Sequence, residues 1–274
     1  MLKNIADEFE KLLNENKDEQ AYQDFLEKNT ALIPTNLCVL NHDVHFDFII
    51  SKLRISQNFT TDFCYLTKST QEWYVVLVEI EKPSKKIFKR NGNNFEFSSD
   101  FNSALEQINT WKIELEKNKS ILDDLKPLIG FNPEFLKNPV TFKYILIYGR
   151  GSELDNDLKK QKFIMAKKQH DVLIVTYDSL ISNFKTPRFC NMTQEYNCKN
   201  IVTKRTNGFK MKYLNSLSKD WIAWMKPSEL DLTSEQKDYL RKEGVLIDEW
   251  EGGKELCNFG KVLKNDIFRA IFKS

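Results

Sequence analysis

The sequence predicts an α/β fold: a mixed central β-sheet flanked by helices, with a small, mainly helical C-terminal appendage. Three observations carry that expectation. Apolar residues dominate the stretches 60–66 and 75–80, and a short polar segment, 67–72, lies between them. That pattern is an antiparallel hairpin. Two further buried-strand patterns, 142–149 and 172–177, enclose a helical segment over 154–170. Strand, helix, strand at this spacing is a βαβ unit, whose strands run parallel. Amphipathic helices precede and interleave these strands. The expected division is a main domain over residues 1–185 and the appendage over 186–274.

Leu2, Ile5, Phe9, Leu12 and Leu13 recur at helical spacing and place the first helix over 2–15. A second helix over 19–32 offers Tyr22, Phe25, Leu26 and Leu32 for burial, with Asn29 and Pro34 marking its end. A strand is expected around 43–55, where Val44, Phe46 and Phe48 alternate with His45 and Asp47. The hairpin follows, then a polar loop over 83–99. A helix then runs from Ser99 or Asp100, either able to cap it, to Asn118. Phe101, Leu105, Ile108, Trp111 and Leu115 form its apolar stripe, and Gln107 lies at the stripe's edge. Residues 120–139 read as a connector carrying Pro127, Pro133 and Pro139. After Pro187 the pattern weakens. Thr233 and Gln236 match a capping box, and Trp221, Trp224 and Trp250 imply that the appendage packs as a small lobe.

The composition excludes several classes. Apolar residues make up 41% and aromatics 12%, with 20 Phe, ample for a large core. The net charge is only +2 despite 29% charged residues, so any electropositive surface must be local. Gly is scarce, at nine residues, and neither GxGxxG nor GxxxxGK[ST] occurs. No apolar run approaches the roughly 18 residues of a membrane span. The N-terminal residues lack the apolar stretch of a signal peptide, so the expected location is cytoplasmic. Five scattered Cys without a CxxC pair read as free thiols. With three His and no Ser/His/Asp or Cys/His arrangement, nucleophilic catalysis is poorly supported.

The chemistry gathers on the hairpin. Asp62 interrupts one strand, and Glu79 and Glu81 interrupt the other. A turn centred near Thr70 sets Asp62 opposite residue 78 or 79. Directly opposed side chains have Cβ atoms about 5 Å apart. Side chains alternate along a strand, so Glu79 and Glu81 point the same way. Three carboxylates in one small volume repel each other unless a cation neutralises them, and hard oxygen donors suit Mg²⁺ or Mn²⁺. The competing reading is a set of acids solvated at a sheet edge.

An acid on one strand, Glu-x-Glu on its partner and a following helix bearing Gln resemble the PD-(D/E)XK nuclease superfamily. The likeness narrows through Phe25-Leu26-Glu27-Lys28-Asn29, Thr61-Asp62-Phe63, Val78-Glu79-Ile80-Glu81-Lys82-Pro83 and Ala104-Leu105-Glu106-Gln107-Ile108. Ile147-Tyr148-Gly149-Arg150 and Val175-Thr176-Tyr177-Asp178-Ser179-Leu180 continue it. Together these segments, spread over residues 18–184, resemble the Shedu nuclease domain of bacterial anti-phage defence. The resemblance implies a restriction-endonuclease-like fold, a Mg²⁺-dependent (or Mn²⁺-dependent) DNA endonuclease and a homo-oligomer. It implies that Asp62 and Glu79 bind metal and that Gln107 projects beside them. It does not name the phage or host protein that triggers cleavage.

Glu81 departs from the family pattern, which carries lysine at that position. Three readings stand. Glu81 serves as a further metal ligand or general base, so that a metal supplies the missing charge. Alternatively a neighbouring lysine substitutes: Lys82, if the strand ends or bulges at Pro83, or Lys85 or Lys86 folding back from the loop. In the third reading the site is inactive, and the protein is a DNA-binding or interaction module that keeps the nuclease fold.

Lys85, Lys86, Lys89 and Arg90 follow the hairpin, with Phe88 among them, and can grip phosphates beside the acids. A second basic group, Lys159, Lys160, Lys162, Lys167 and Lys168, reads as a solvated helix face. Asp43, His45 and Asp47 share one face of their strand and His42 the other, a solvent-facing edge.

Overall fold

A computed structural model describes residues 2–38, 40–41, 44, 49–56, 58–91, 94–117, 121–122, 125, 137–185, 201–203, 211–214, 230–231, 234–242, 244–257 and 262–263. Its centre is a mixed sheet. Strands β1 (Ile49–Arg54), β2 (Thr60–Lys68) and β3 (Trp73–Ile80) are antiparallel neighbours. Strands β6 (Val140–Ile147) and β7 (Leu173–Val175) continue parallel to β3. Connection length explains the mixture. The β2–β3 link closes within four residues, with the Ser69 amide donating to the Glu72 carbonyl at 2.9 Å, which only an antiparallel pair allows. Long crossovers, each containing a helix, join β3 to β6 and β6 to β7, as parallel strands require.

Side-chain alternation splits the apolar residues between two faces. Cys64, Leu66, Val75, Leu77 and Leu146 join Phe101, Leu105, Ile108 and Trp111 of helix α3 (Ser99–Lys117) and Phe163 of α4 (Asp157–His170). On the other face Phe63, Tyr65, Val76, Val78, Ile145 and Ile147 meet α1 (Leu2–Asn14), α2 (Glu19–Lys28) and α5 (Tyr177–Lys185) through Phe9, Tyr22, Leu26, Tyr177 and Phe184. Phe9 stacks on Phe25 at 5.0 Å, and Phe101 meets Tyr148 edge-on at 5.1 Å. The buried aromatic core follows from the Phe-rich composition.

The expected order of helices and strands holds through the βαβ unit, with local corrections. Ser98, not Ser99 or Asp100, caps α3: its Oγ accepts from the Phe101 amide at 3.1 Å. The expected polar loop over 83–99 contains a second hairpin, β4 (Phe88–Asn91) with β5 (Asn94–Phe97). Its alternating Phe88, Phe95 and Phe97 are diluted by Lys and Asn, which hides the strand pattern. The lysines of α4 are only partly a solvated face. Lys159 lies over the Phe95 ring at 4.3 Å, Lys162 donates to the Phe95 carbonyl at 2.7 Å, and Lys167 lies over Phe163 at 4.8 Å. Lys159 and Lys162 clamp the small hairpin to the helix. Residues 172–177 were expected to run as one strand, yet Tyr177 already opens α5.

Beyond β1 the sheet gains three short strands, β8 (Ile201–Thr203), β9 (Met211–Leu214) and β10 (Leu230–Asp231), with β9 antiparallel to β1. Helix α6 (Ser234–Lys242) starts one residue after Thr233, where the capping signal placed it. Trp250, in α7 (Ile247–Glu251), is buried with Leu240, Val245 and Ile247. Trp221, Trp224, Thr233, Cys190, Cys198, His42, Asp43, His45, Asp47 and most of 120–139 lie outside the described residues. Cys38 and Cys64 are free thiols, and burial pushes both thiol pKa values up.

The loop after β6 ties the layers together. Arg150 donates to both carboxylate oxygens of Asp178 at 2.9–3.1 Å and reaches the Leu13 carbonyl and Asn14 Oδ1 at 3.3 Å. The Gly151 amide adds a 2.6 Å bond to Asp178. Burial of Asp178 works against ionisation, but Arg150 and the Gly151 amide outweigh it and hold its carboxyl below the usual range. A depressed folded pKa gives stability that is complete above the unfolded value and is lost as pH falls through the folded value. Thermal unfolding across pH should therefore show Asp178→Asn less stable than the parent at neutral pH, with the gap closing in acid below about pH 4.

Gly149 has φ +62, and an added Cβ would lie 3.0 Å from Ile87 Cγ1 and 3.1 Å from the Lys85 carbonyl. Gly149→Ala should lower stability by about 1–3 kcal/mol in urea unfolding, and an unchanged midpoint would contradict this packing.

Candidate active site

The pairing of Phe63 with Val78 and Cys64 with Leu77 carries Asp62 opposite Glu79, one of the two placements expected. Asp62 extends the α3-facing row of β2 after Leu66 and Cys64, and Glu79 extends that of β3 after Val75 and Leu77. Both acids therefore stand where the apolar row gives out, at one end of the sheet. Glu81 follows two residues later. Its amide donates to the Ile147 carbonyl at 2.9 Å, so the chain stays tied to β6 through that position.

Each acid has distinct partners. Asp62, only 6% exposed, accepts from the Ile80 amide at 2.8 Å through Oδ2 and from the Lys52 ammonium through Oδ1. Glu79, 8% exposed, accepts from Gln107 Nε2 at 2.5 Å through Oε1. Its other oxygen, Oε2, is buried with no hydrogen-bond partner among the described residues. Glu81 accepts from the Lys85 ammonium at 2.5 Å. That contact follows from the turn after β3: Pro83 sits at its second position, the Lys85 amide donates to the Lys82 carbonyl at 3.1 Å, and Lys85 returns toward Glu81. Lys82 opens this turn, partly exposed.

Gln107 thus faces the acids from α3 and is not a solvated helix amide. Lys86 lies 3.8 Å from Glu153, and Lys89 lies 3.7 Å from Glu96 on the small hairpin. Lys86, Lys89 and Arg90 are all exposed, Lys86 just before the hairpin that follows the site, Lys89 and Arg90 on it. Glu153 Oε2 also accepts from the Ile87 amide at 3.0 Å, fixing the hairpin's base.

Two residues at this end of the sheet escaped the sequence reading. Lys52 lies across β1–β2 from Asp62, a neighbour findable by continuing the hairpin pairing back along the chain past the polar stretch that precedes Phe59. Glu19 opens α2, and its pKa is raised by burial and by the charges of Glu81 and Asp62. No local pattern could have signalled Glu19, because only the docking of α2 brings it near the acids.

Burial raises the pKa of Glu79 well above the ordinary carboxylate range, helped by the neighbouring charges of Asp62 and Glu81. A buried carboxylate with an unpartnered oxygen, beside a second carboxylate, fits a hard divalent cation. The acids are not, however, pre-arranged as a cage: among the described residues no three His, Cys, Asp or Glu side chains form a metal-ready group. The physical reason is that Lys52 and Lys85 already occupy the acids on either side of Glu79.

The folded pKa of Glu79 lies above its unfolded value, so the native state binds the extra proton between the two. Stability then falls as pH rises through that window. Without divalent metal, Glu79→Gln should be more stable than the parent at pH 7, with the difference vanishing below about pH 4.5. Urea unfolding across pH checks this, and a Gln variant that is less stable at pH 7 would contradict it.

No helix among the described residues is long and apolar enough to cross a membrane. No curated protein matches the chain. The family model described as Shedu protein SduA, C-terminal, matches residues 16–181, more than half of the sequence, including the strands that carry Asp62 and Glu79 and the helix that carries Gln107. The chain belongs to the Shedu SduA family of anti-phage defence nucleases.

Proposed function

We propose that this protein is a metal-dependent DNA endonuclease that hydrolyses phosphodiester bonds in bacterial anti-phage defence, acting as a cytoplasmic homo-oligomer. The observation that carries the reading is the buried Glu79 carboxylate, held by Gln107 on one oxygen and unpartnered on the other, directly opposite Asp62. An unsatisfied buried carboxylate oxygen costs free energy, and a bound cation would offset that cost.

In this reading Asp62, Glu79 and Glu81 hold Mg²⁺ or Mn²⁺. Such an ion, when bound, lowers the pKa of water and acts as a Lewis acid toward the phosphate. Gln107 fixes the orientation of Glu79. Glu81 accepts the proton of the attacking water, and its contact with Lys85 holds its side chain in place. Lys85, Lys86, Lys89 and Arg90 grip the DNA backbone beside the acids, and Lys82 stands at the start of their segment.

The second reading, a nuclease-fold module that binds DNA without cutting it, has its own support: Lys52 and Lys85 neutralise the flanking acids without any metal. Supercoiled plasmid separates the two. The endonuclease nicks it with Mg²⁺ or Mn²⁺, is silenced by EDTA and loses at least about 100-fold of its rate in Glu79→Gln. Plasmid binding without nicking under either metal would leave only the binding module. Saturating Mn²⁺, at about 100 times its Kd, should stabilise the parent by roughly 2.7 kcal/mol and Glu79→Gln much less.

A further inference from the structure

We propose that Lys52 is the catalytic lysine of this site, supplying from strand β1 the positive charge that Glu81 cannot supply from β3. The inference rests on the endonuclease reading above.

The backbone makes the first argument. Lys52 has φ +52, left-handed for an L residue in mid-strand. A non-glycine residue holds that conformation only at a cost of order 1 kcal/mol or more. The strand's phase shifts there: Ile50, Leu53 and Ile55 all join the α3-facing cluster, a spacing that strict alternation does not give. The ladder to β2 is paired at Ser51–Phe63 and at Leu53–Thr61, and Lys52 lies between. Such local irregularities re-aim a side chain, and they concentrate at functional sites.

The contacts make the second. The Lys52 ammonium reaches Asp62 Oδ1, while Asp62 Oδ2 is tied to the Ile80 amide. The cation therefore sits against the innermost pair of acids. Its charge also acts on Glu79 and Glu19. Its side chain stays 43% exposed, so it lies at the mouth of the cluster, where a phosphate would arrive. The preceding residue is anchored from behind. Ser51 Oγ donates to Glu27, Gln23 Nε2 reaches Ser51 Oγ at 3.2 Å, and the same amide reaches the Asp62 carbonyl at 3.5 Å. Helix α2 thus braces the strand at the point of distortion.

In hydrolysis the water oxygen bonds to phosphorus and the ester P–O bond breaks. The water's proton passes to Glu81, and the leaving oxygen takes one from solvent. Lys52 keeps its proton throughout and stabilises the charge that builds on the phosphate oxygens.

The alternative is that Lys52 merely neutralises Asp62. Substituting Lys52→Gly separates the two, because glycine accepts the left-handed backbone without strain and removes the charge. Lys52→Asn, which also tolerates that conformation, guards against a glycine-specific effect. The full-length variants are compared with the parent at saturating Mn²⁺ in single-turnover plasmid cleavage, in Mn²⁺ binding by calorimetry, in plasmid binding and in urea unfolding. The expected result is a rate loss of about 100-fold, with Mn²⁺ bound as tightly or more tightly, plasmid binding kept and the unfolding midpoint equal or higher. A loss under about tenfold, or one recovered by more Mn²⁺, overturns the assignment to Lys52 while leaving the nuclease intact. A parent protein that never nicks removes the endonuclease reading, and this assignment with it.

Discussion

The register of the β2–β3 hairpin is the constraint on which the site depends. The tight turn at Ser69–Glu72 fixes which residues face each other, and the pairing then brings Asp62 across from Glu79. A slip of one residue would turn every side chain of one strand to the other face. Either Leu66 and Cys64 on β2 or Val75 and Leu77 on β3 would then leave the α3 side, so the apolar core forbids the slip. The same burial energy that builds the sheet therefore aligns the acids. Helix α3 uses one continuous face for both tasks: Phe101, Leu105, Ile108 and Trp111 cover the sheet, and Gln107 at the edge of that stripe meets Glu79.

Placing three carboxylates together creates an electrostatic problem, and the protein solves it unevenly. Asp62 and Glu81 each receive an ammonium group, from Lys52 and Lys85, while Glu79 receives only an amide. Glu79 is therefore the acid most reluctant to ionise alone, and its pKa rises accordingly. A site with this imbalance has a defined unmet demand for positive charge at its centre.

Much of this was legible in the sequence because it rests on local periodicity. The alternation around Asp62 and Glu79 and the stripe from Phe101 to Leu115 both follow from apolar burial, which a linear pattern records. What was hidden depends on through-space meeting. Lys52 shares no motif with Asp62, and its altered backbone has no sequence signature, since glycine or asparagine would be the expected residue there. Glu19 reaches the acids only through the docking of α2. The hairpin at Phe88–Phe97 was masked because its exposed face is Lys, Arg and Asn, and α4 supplies the stabilising contacts through Lys159 and Lys162.

The five residues from Gly149 to Glu153 have a mechanical consequence. Gly149 lies against the Lys85 carbonyl and Ile87, Arg150 holds α1 and α5, and Glu153 holds the Ile87 and Phe88 amides. One short segment thus touches the helical layer on one side and the basic turn on the other. Any force that displaced α1 or α5 would be transmitted, with little slack, to the lysine that contacts Glu81.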